Sequence, residues 1–321
     1  MTDLLDRVRA TELLEPGRRV LVLLSGGRDS VCLLDLAVRI SGAPHVAALH
    51  CNYGLRDEAA ADEEHCAALC ERLGVELHVR RPRRPEGAGT EPASPAGNLQ
   101  AWARDQRYAA AAAIARGDDI AAGHTASDQV ETVLYRLAAS PGRRALLGMA
   151  AREGRLIRPL LDVSRAETAA HCEARGLAWR EDASNAAPEF ARNRLRAGLL
   201  PALRSLHPAA EANVLRTLAI LRDEAAVLDA VVDRALAEAG DPPALQALRE
   251  LPPALRRLAL QRLADRAVGG QAPAIGHRTD EVLALSEGGA LDVGSGLRAE
   301  IRAGALRFGR SRGPAAPHAD P

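Results

Sequence analysis

The chain has 321 residues, of which 47% are hydrophobic and 26% charged, and its formal net charge is +0. Because single hydrophobic cores rarely grow beyond about 250–300 residues, this length predicts two domains. A zero net charge excludes a global electrostatic field for nucleic acid, so any such surface must be a local arginine patch. Lysine is absent from the sequence, and every strongly basic side chain is therefore an arginine.

The cysteines and the first residues of the chain indicate a cellular compartment. The number of cysteines is odd, no secretory signal precedes them, and no zinc-type Cys/His spacing appears. We therefore expect free thiols in a reducing, cytoplasmic environment and no zinc site. The amphipathic residues 1–14 carry acids early and predict neither a signal peptide nor a membrane span. The cysteines are Cys32, Cys51, Cys66, Cys70 and Cys172.

Strands and helices alternate over the first half of the chain. Short apolar runs predict strands at residues 20–24, 45–52, 75–81, 119–123 and 156–161. Helical periodicity predicts helices at residues 4–14, 28–38, 58–73, 99–116, 127–139 and 165–175, and residues 82–97 are predicted to be a flexible loop. This alternation predicts an α/β fold with a doubly wound, parallel five-stranded sheet, whose ligands bind at the carboxyl ends of the strands.

The pattern changes after residue 185. Periods near 3.6 predict helices at residues 195–206, 209–238, 254–268 and 279–287, and alternation around glycines predicts hairpin strands at residues 290–308. The Pro/Ala/Gly-rich end is expected to be disordered. We therefore predict an α/β domain at residues 1–206, a mainly helical domain with a small terminal hairpin at 207–310, and a disordered tail at 311–321.

The turn after the first strand has the composition of an anion site. The residues SGGRDS, 25–30, join the apolar run at 20–24 to a helix. Two glycines allow the backbone to approach a ligand, and the N–H groups at the helix N-terminus favour an anion such as phosphate. The turn matches neither GxxxxGK[ST] nor GxGxxG. It could be only a glycine-rich turn with an aspartate cap, but SGGxDS after a strand resembles the pyrophosphate loop (PP-loop) of ATP pyrophosphatases.

Two acids and an arginine cluster follow later strands. Asp128 and Glu131 are three residues apart and share one helix face after the fourth strand. Such acids could hold Mg²⁺, orient a cationic substrate or act as a base, but they could also only stabilise the helix N-terminus. The cluster Arg192–Arg196 could be a solvated face or could bind phosphates.

Several stretches resemble, in order, the tRNA(Ile)-lysidine synthetase family. They are HCNYGLR at 50–56, ARDQRY at 103–108, GHTASDQVETVL at 123–134, RPLLDVSRAETAAHCEARGLAWREDASN at 158–185 and RNRLRAGLLPAL at 192–203. Tyr53 stands where the family usually has histidine, and Ser127 replaces an aspartate. From this resemblance we expect the second C-terminal domain of longer members to have no counterpart here, and we expect recognition of the tRNA acceptor end to differ.

The resemblance implies a ligase that joins L-lysine to C2 of the wobble cytidine in the isoleucine tRNA with a CAU anticodon, using ATP and Mg²⁺ in a PP-loop domain. The implied ATP-binding residues are Ser25, Gly26, Gly27, Arg28, Asp29, Ser30, His50, Gly123 and His124. The implied catalytic residues are Asp29, which would also lie near Mg²⁺, Arg104, Arg107 and Asp128. Glu131 and Arg194 would bind lysine, and Arg192 and Arg196 would bind tRNA.

Alternatives remain open at this point. A PP-loop tRNA thiolase would also adenylate a base but needs paired cysteines or an iron–sulfur site near the loop. A non-catalytic tRNA-binding module would leave the SGGRDS turn unexplained. Residues 207–310 are predicted to position tRNA, but they could instead form a stabilising or dimerising domain, which leaves a homodimer open.

Overall fold

The computed structural model describes residues 3–54, 58–83, 99–139, 142–180, 194–270, 272, 275–294 and 296–310. The chain forms two compact units, Met1–Leu218 and Ala219–Pro321. Most of the predicted loop at 82–97 and the predicted tail at 311–321 lie outside the described residues.

Within the described residues, the first unit contains a six-stranded sheet. Its strands are β1 (Val20–Leu23), β2 (Val46–Cys51), β3 (Glu76–Arg80), β4 (Asp119–Ala121), β5 (Arg152–Glu153) and β6 (Leu156–Ile157). The order is β3-β2-β1-β4-β6-β5, and all neighbouring strands are parallel except β5 and β6. The predicted strands are thus present and parallel, but the predicted count of five is corrected to six. A two-residue edge strand is too short to leave a periodic signal in the sequence.

Helices flank this sheet. They are α1 (Leu4–Arg9), α2 (Arg28–Ser41), α3 (Ala59–Leu73), α4 (Leu99–Ala115), α5 (Ala126–Ala139), α6 (Arg143–Leu146), α7 (Arg165–Ala174) and α8 (Leu200–Leu206), the last preceded by a π-helical turn at Leu195–Leu199. The first helix is shorter than predicted, and the backbone beyond it turns through a positive φ of 55° at Glu12.

Residues of β1 belong alternately to two hydrophobic cores. Val20 and Val22 pack in one cluster with residues of α2, α3 and α7. Leu21 and Leu23 pack in another cluster with residues of α4. Because successive strand residues face opposite sides of a sheet, this division confirms a doubly wound sheet that is covered on both faces.

A buried ion network joins α2 to α7. Asp35 on α2 is only 1% exposed, and its Oδ2 lies 2.8 Å from Nε2 of His171. The guanidinium of Arg175 donates to Oδ1 at 3.4 Å. Burial alone would raise the pKa of Asp35, but the hydrogen bonds from His171 and Arg175 outweigh it and hold this pKa below its usual value. The carboxylate therefore stays charged and fixes how α7 packs on α2.

We expect Asp35→Asn to lower the free energy of unfolding at neutral pH by about 3 kcal/mol, since the buried His171 and the half-exposed Arg175 both lose their carboxylate partner. A depressed carboxyl pKa contributes stability above the unfolded-state value near 3.9, and this part is lost as pH falls through the folded value. The difference between wild type and variant should therefore shrink in acid. Urea unfolding at neutral and acidic pH measures it, with the exposed Asp6→Asn as control. Equal effects of both substitutions would contradict this prediction.

The second unit combines helices with a small antiparallel sheet. Its helices are α9 (Ala210–Ala239), within which the boundary between the units falls, α10 (Leu245–Glu250), α11 (Pro253–Val268) and α12 (Thr279–Leu283). The predicted hairpin region forms the strands β7 (Ala290–Gly294), β8 (Leu297–Arg302) and β9 (Ala305–Arg310). Leu248, Leu260 and Ile301 lie at the centre of its core.

Several arginines of the second unit are engaged within it. Arg262 and Arg266 on α11 pair with Asp229 and Asp233 on α9, and Arg256 donates to the carbonyl of Leu251. These side chains therefore help to hold the helices together. None of the helices in the described ranges has the length and apolar content that a membrane crossing requires.

Candidate functional site

The SGGRDS turn is closed by the hydroxyl of Ser30. This hydroxyl donates to the carbonyl of Gly27 at 2.8 Å and accepts from the N–H of Ser25 at 3.2 Å. Gly26 has a φ of +84°, which side-chain-bearing residues rarely adopt. The turn thus begins directly after β1 and leads into the first turn of α2 at Arg28, as the sequence predicts.

The rear of the turn is held by groups that the sequence analysis did not assign. The carbonyl of Gly26 accepts from the N–H of Arg180 at 3.0 Å, and the Arg180 guanidinium pairs with Asp62 on α3. A Cβ on Gly26 would lie only 3.3 Å from Sγ of Cys66. The turn therefore rests on α3 and on the segment after α7.

Gly123 brings the carboxyl end of β4 against the start of α2. A Cβ at this position would lie 3.1 Å from the backbone carbonyl carbon and oxygen of Asp29 and 3.2 Å from the nitrogen of Ser30. The absence of a side chain at Gly123 is what allows the GHTASD segment to contact the turn. The two stretches that the sequence singled out thus form one site.

We expect Gly123→Ala to weaken binding of ATP by at least about tenfold, because rigid backbone cannot move away from the new methyl group as a flexible side chain can. Titration calorimetry with ATP measures this loss. The control is Gly309→Ala, where nothing lies within 4 Å of the added Cβ. Unchanged ATP affinity in Gly123→Ala would contradict the close contact.

Asp29 occupies the first turn of α2 and is 20% exposed. Its Oδ1 accepts hydrogen bonds from the hydroxyl of Thr168 at 2.6 Å and from Nε of Arg28 at 3.2 Å. Its Oδ2 lies 3.9 Å from Nε of Arg165. The carboxylate is therefore held by α7 and is not the freely solvated group that a bare turn would present.

The acidic pair on α5 is bound by two arginines. Oδ1 of Asp128 accepts from Nη2 of Arg165 and from Nη2 of Arg196, each at 3.2 Å. Glu131 is only 2% exposed, and its Oε1 pairs with Nε of Arg196 and lies 3.7 Å from Nη2 of Arg165. The two acids do share one face, as predicted, and Arg165 links them to Asp29.

His124 is neutral near pH 7. Burial lowers its pKa to about 4, the charge of Asp128 opposes this shift, and the charges of Arg158, Arg104 and Arg107 add to it. Arg104 and Arg107 on α4 therefore lie close enough to the carboxyl end of β4 for their charges to lower the pKa of His124. Their guanidinium carbons lie 5.1 Å and 5.6 Å from the ring centre of Tyr108, within cation–π range.

The remaining residues that the sequence analysis named have other surroundings. His50 is buried, and its Nδ1 lies 3.0 Å from the carbonyl of Leu24 and 3.4 Å from Sγ of Cys66, so it supports the end of β1. The Tyr53 hydroxyl donates to the carbonyl of Ala103 at 2.7 Å. Arg194 is exposed, and Arg192 lies outside the described residues.

Arg165 and Thr168 are the site residues that sequence reasoning missed. They lie in the first turn of α7, whose start is fixed by a capping box between Ser164 and Glu167. The sequence Ser164-x-x-Glu167 is a recognisable signal for that helix start. It could have placed both side chains at the start of the helix, although not against Asp29.

The donor set at the turn fits a metal ion only in part. No group of three or more His, Cys, Asp or Glu side chains suited to a metal occurs in the part of the chain that the structure describes. Mg²⁺ in nucleotide sites is usually held by one or two carboxylates together with substrate phosphates. Asp29 therefore fits an ion that ATP brings with it.

The chain resembles known proteins in sequence and fold. A family described as a PP-loop domain matches residues 3–203. The thiolase NcsA from Methanococcus maripaludis, solved as a U34-tRNA thiolase with its [4Fe-4S] cluster, superposes with a TM-score of 0.53 at 18% identity, over 68% of this chain and 78% of that one. At that identity the likeness concerns the fold alone.

Curated relatives narrow the family. The tRNA(Ile)-lysidine synthase of Pseudomonas fluorescens is 39% identical over 69% of this chain and 50% of its own length. That of Symbiobacterium thermophilum is 36% identical over 99% of this chain and 71% of its own, and that of Gloeobacter violaceus 37% over 82% and 81%. The chain spans about half the length of the first curated relatives that it matches. The chain therefore belongs to the tRNA(Ile)-lysidine synthase family, as these relatives, the PP-loop turn and the adjoining acidic pair together show.

Proposed function

We propose that the protein ligates L-lysine to C2 of the wobble cytidine in the CAU-anticodon isoleucine tRNA, in the cytoplasm, with ATP converted to AMP and pyrophosphate. The observation that carries this proposal is the direct contact between the SGGRDS turn and the segment bearing Asp128 and Glu131, at Gly123. A phosphate-binding turn thus adjoins a site for an amine.

The reaction needs both the phosphate-binding turn and the site for an amine. The cytosine O2 is a poor leaving group, so it first attacks the α-phosphate of ATP; an O–P bond forms, and the bond to the pyrophosphate oxygen breaks. The lysine ε-amine then attacks C2, and AMP leaves with the oxygen. The amine, with a reference pKa near 10.4, must lose its extra protons to react.

The nucleotide half of the site uses the turn and α4. In this proposal the N–H groups of residues 25–30 and the positive end of α2 bind the β- and γ-phosphates. Asp29 would hold a Mg²⁺ ion that accompanies ATP, and such an ion would offset phosphate charge. Arg104 and Arg107 offset the charge that develops at the α-phosphate. His124, which is neutral, adds no charge of its own.

The amino-acid half uses the acidic pair. We propose that Glu131 binds the lysine ammonium and that Arg194 binds its carboxylate. Arg196 is engaged with both acids, so we no longer assign it to tRNA, whereas Arg192 remains the candidate for tRNA phosphate. Residues 207–310 would position the tRNA, because one cytidine must be chosen from many and unstacked to react.

The test is release of pyrophosphate with ATP, lysine and candidate tRNAs, each omitted in turn. We expect release only with the CAU-anticodon isoleucine tRNA, and a cytidine whose mass has increased by lysine minus water only when lysine is present. Release that is independent of tRNA, or a tRNA that is unchanged by lysine, would overturn the proposal.

The thiolase alternative requires reactive cysteines near the PP-loop turn. Cys66 does reach the PP-loop turn, at Gly26, although its helix follows the second strand. It is fully buried, however, and burial raises the pKa of its thiol to about 12. A thiol in that state is a poor nucleophile or ligand. Sulfur incorporation into tRNA would support this alternative, and incorporation of lysine without any sulfur donor would exclude it.

A further inference from the structure

The carboxylate of Asp128 is saturated with hydrogen bonds. Oδ2 accepts from the backbone N–H of Thr125 at 2.9 Å and from its hydroxyl at 3.0 Å. Oδ1 accepts from Arg165 and Arg196, each at 3.2 Å. A carboxylate offers about four lone-pair sites. These four donors therefore leave Asp128 little capacity for a proton or a substrate ammonium.

The two arginines on Asp128 form a cationic pair, which we call the arginine clamp (Arg165 and Arg196). Of the two, Arg165 is the one with a contact to the PP-loop turn, at Asp29. Nε of Arg165 is a buried donor without a hydrogen-bond partner among the described residues. It lies 3.9 Å from Oδ2 of Asp29. A buried N–H without a partner costs free energy, which an anion at the turn would offset.

The environment of Asp128 makes it a weak base. Burial would raise its pKa, but the N–H of Thr125 and the charges of Arg165, His124 and Arg196 hold this pKa below its usual value. An efficient general base has a pKa near the working pH. Both the low basicity and the fully occupied oxygens of Asp128 argue against it as the group that takes a proton from lysine.

We propose that Asp128 is a positioning residue that holds Arg165 and Arg196 together as a preassembled clamp for substrate phosphate, and that it does not deprotonate lysine. This proposal rests on the proposed function and adds Arg165 to the site. The clamp serves the first half-reaction, in which negative charge builds up at phosphate. Arginine suits this task because its planar fork binds phosphate at two points.

The experiment compares Asp128→Asn, Arg165→Gln and the double variant in both half-reactions. Pyrophosphate release with tRNA but without lysine reports adenylation, and lysidine formation reports the transfer of lysine. We expect each single variant to lower adenylation about 100-fold. The double variant should lose little more, because the two side chains act as a unit. The matched control is Arg39→Gln, which removes an exposed arginine from the last turn of α2 and should leave adenylation near the wild-type rate.

Three further readouts keep the proposal open to refutation. Thr125→Val removes one donor to Oδ2 and should lower the same step less, which covers the case of a poorly folded Asp128→Asn. If Asp128→Asn spares adenylation and slows only lysine transfer, with a rate that recovers about tenfold per pH unit toward the pKa of lysine, Asp128 is the base and the proposal fails. Losses that multiply in the double variant would also overturn the clamp.

Failure of the proposed function has its own signature. If the wild type releases no pyrophosphate with any tRNA, the ligase assignment fails before the variants are compared. The clamp is then tested by the affinity for ATP alone, measured by calorimetry for the wild type, Asp128→Asn and Arg165→Gln. Weaker ATP binding in both variants would support the clamp, and equal affinities in all three proteins would overturn it.

Discussion

Asp29→Ala is expected to abolish formation of the adenylated cytidine, with the rate of pyrophosphate release reduced by at least about 100-fold. The carboxylate stands at the turn that would hold the β- and γ-phosphates, and it organises Arg28, Thr168 and Arg165 around that position. Without it, a Mg²⁺ ion that accompanies ATP would lose a carboxylate ligand, and Arg28 and Arg165 would lose the group that orients them. Single-turnover pyrophosphate release in the presence of tRNA measures the effect.

Two comparisons make the Asp29 prediction specific. Asp29→Asn keeps the shape and an acceptor for Thr168, so its melting temperature should stay near that of the wild type while the activity is still lost. Asp118→Asn removes a carboxylate that pairs with Arg19. Asp118 directly precedes β4, at the amino ends of the strands and away from the turn, so this substitution should leave the rate unchanged. An Asp29→Ala enzyme that adenylates tRNA at the wild-type rate would exclude this turn from the reaction.

Glu131→Gln is expected to raise the KM for lysine about 100-fold or more and to change ATP affinity little. Breaking a buried charge pair by removal of one partner costs roughly 3–5 kcal/mol, and every 1.4 kcal/mol is a factor of ten. Glu131 is almost fully buried and is already paired with Arg196. The lysine ammonium must therefore either bind beside the Arg196 guanidinium or displace it. Steady-state kinetics with varied lysine at saturating ATP and tRNA give the KM.

Stability must be separated from binding in the Glu131 experiment. Glu131→Gln also leaves Arg196 with one carboxylate fewer, so we expect a lower melting temperature, and kinetics should be measured well below it. The exposed Glu71→Gln on α3 provides a control for the loss of a surface acid. A lysine KM equal to that of the wild type would remove Glu131 from the amino-acid site.

Local features of the fold were predictable from the sequence. The apolar runs at 20–24 and 45–52 and the glycines of the turn specify β1, β2 and the start of α2 through short-range preferences. The long periods at 209–238 and 254–268 likewise predict α9 and α11 closely. The short α10 and the edge strand β5 were missed because six and two residues carry too little periodicity.

The candidate site was predictable only in its local parts. Asp128 and Glu131 share a face because they are three apart on a helix, which the sequence reveals. Their pairing with Arg165 and Arg196 joins residues 37 and 68 positions apart from Asp128. No periodicity encodes such contacts, since they depend on how α7 and the turn before α8 pack against α5. Saturation of Asp128 could therefore be seen only once the chain was folded.

The two outer strands of the six-stranded sheet bear on how copies of this chain could associate. The outer strand β3 carries Glu76, His78 and Arg80 at alternate positions, and the opposite outer strand β5 consists only of Arg152 and Glu153. Charged side chains and very short strands at a sheet border disfavour the addition of a foreign strand. The six-stranded sheet is thus guarded at these two strands against continuous growth from one molecule to the next.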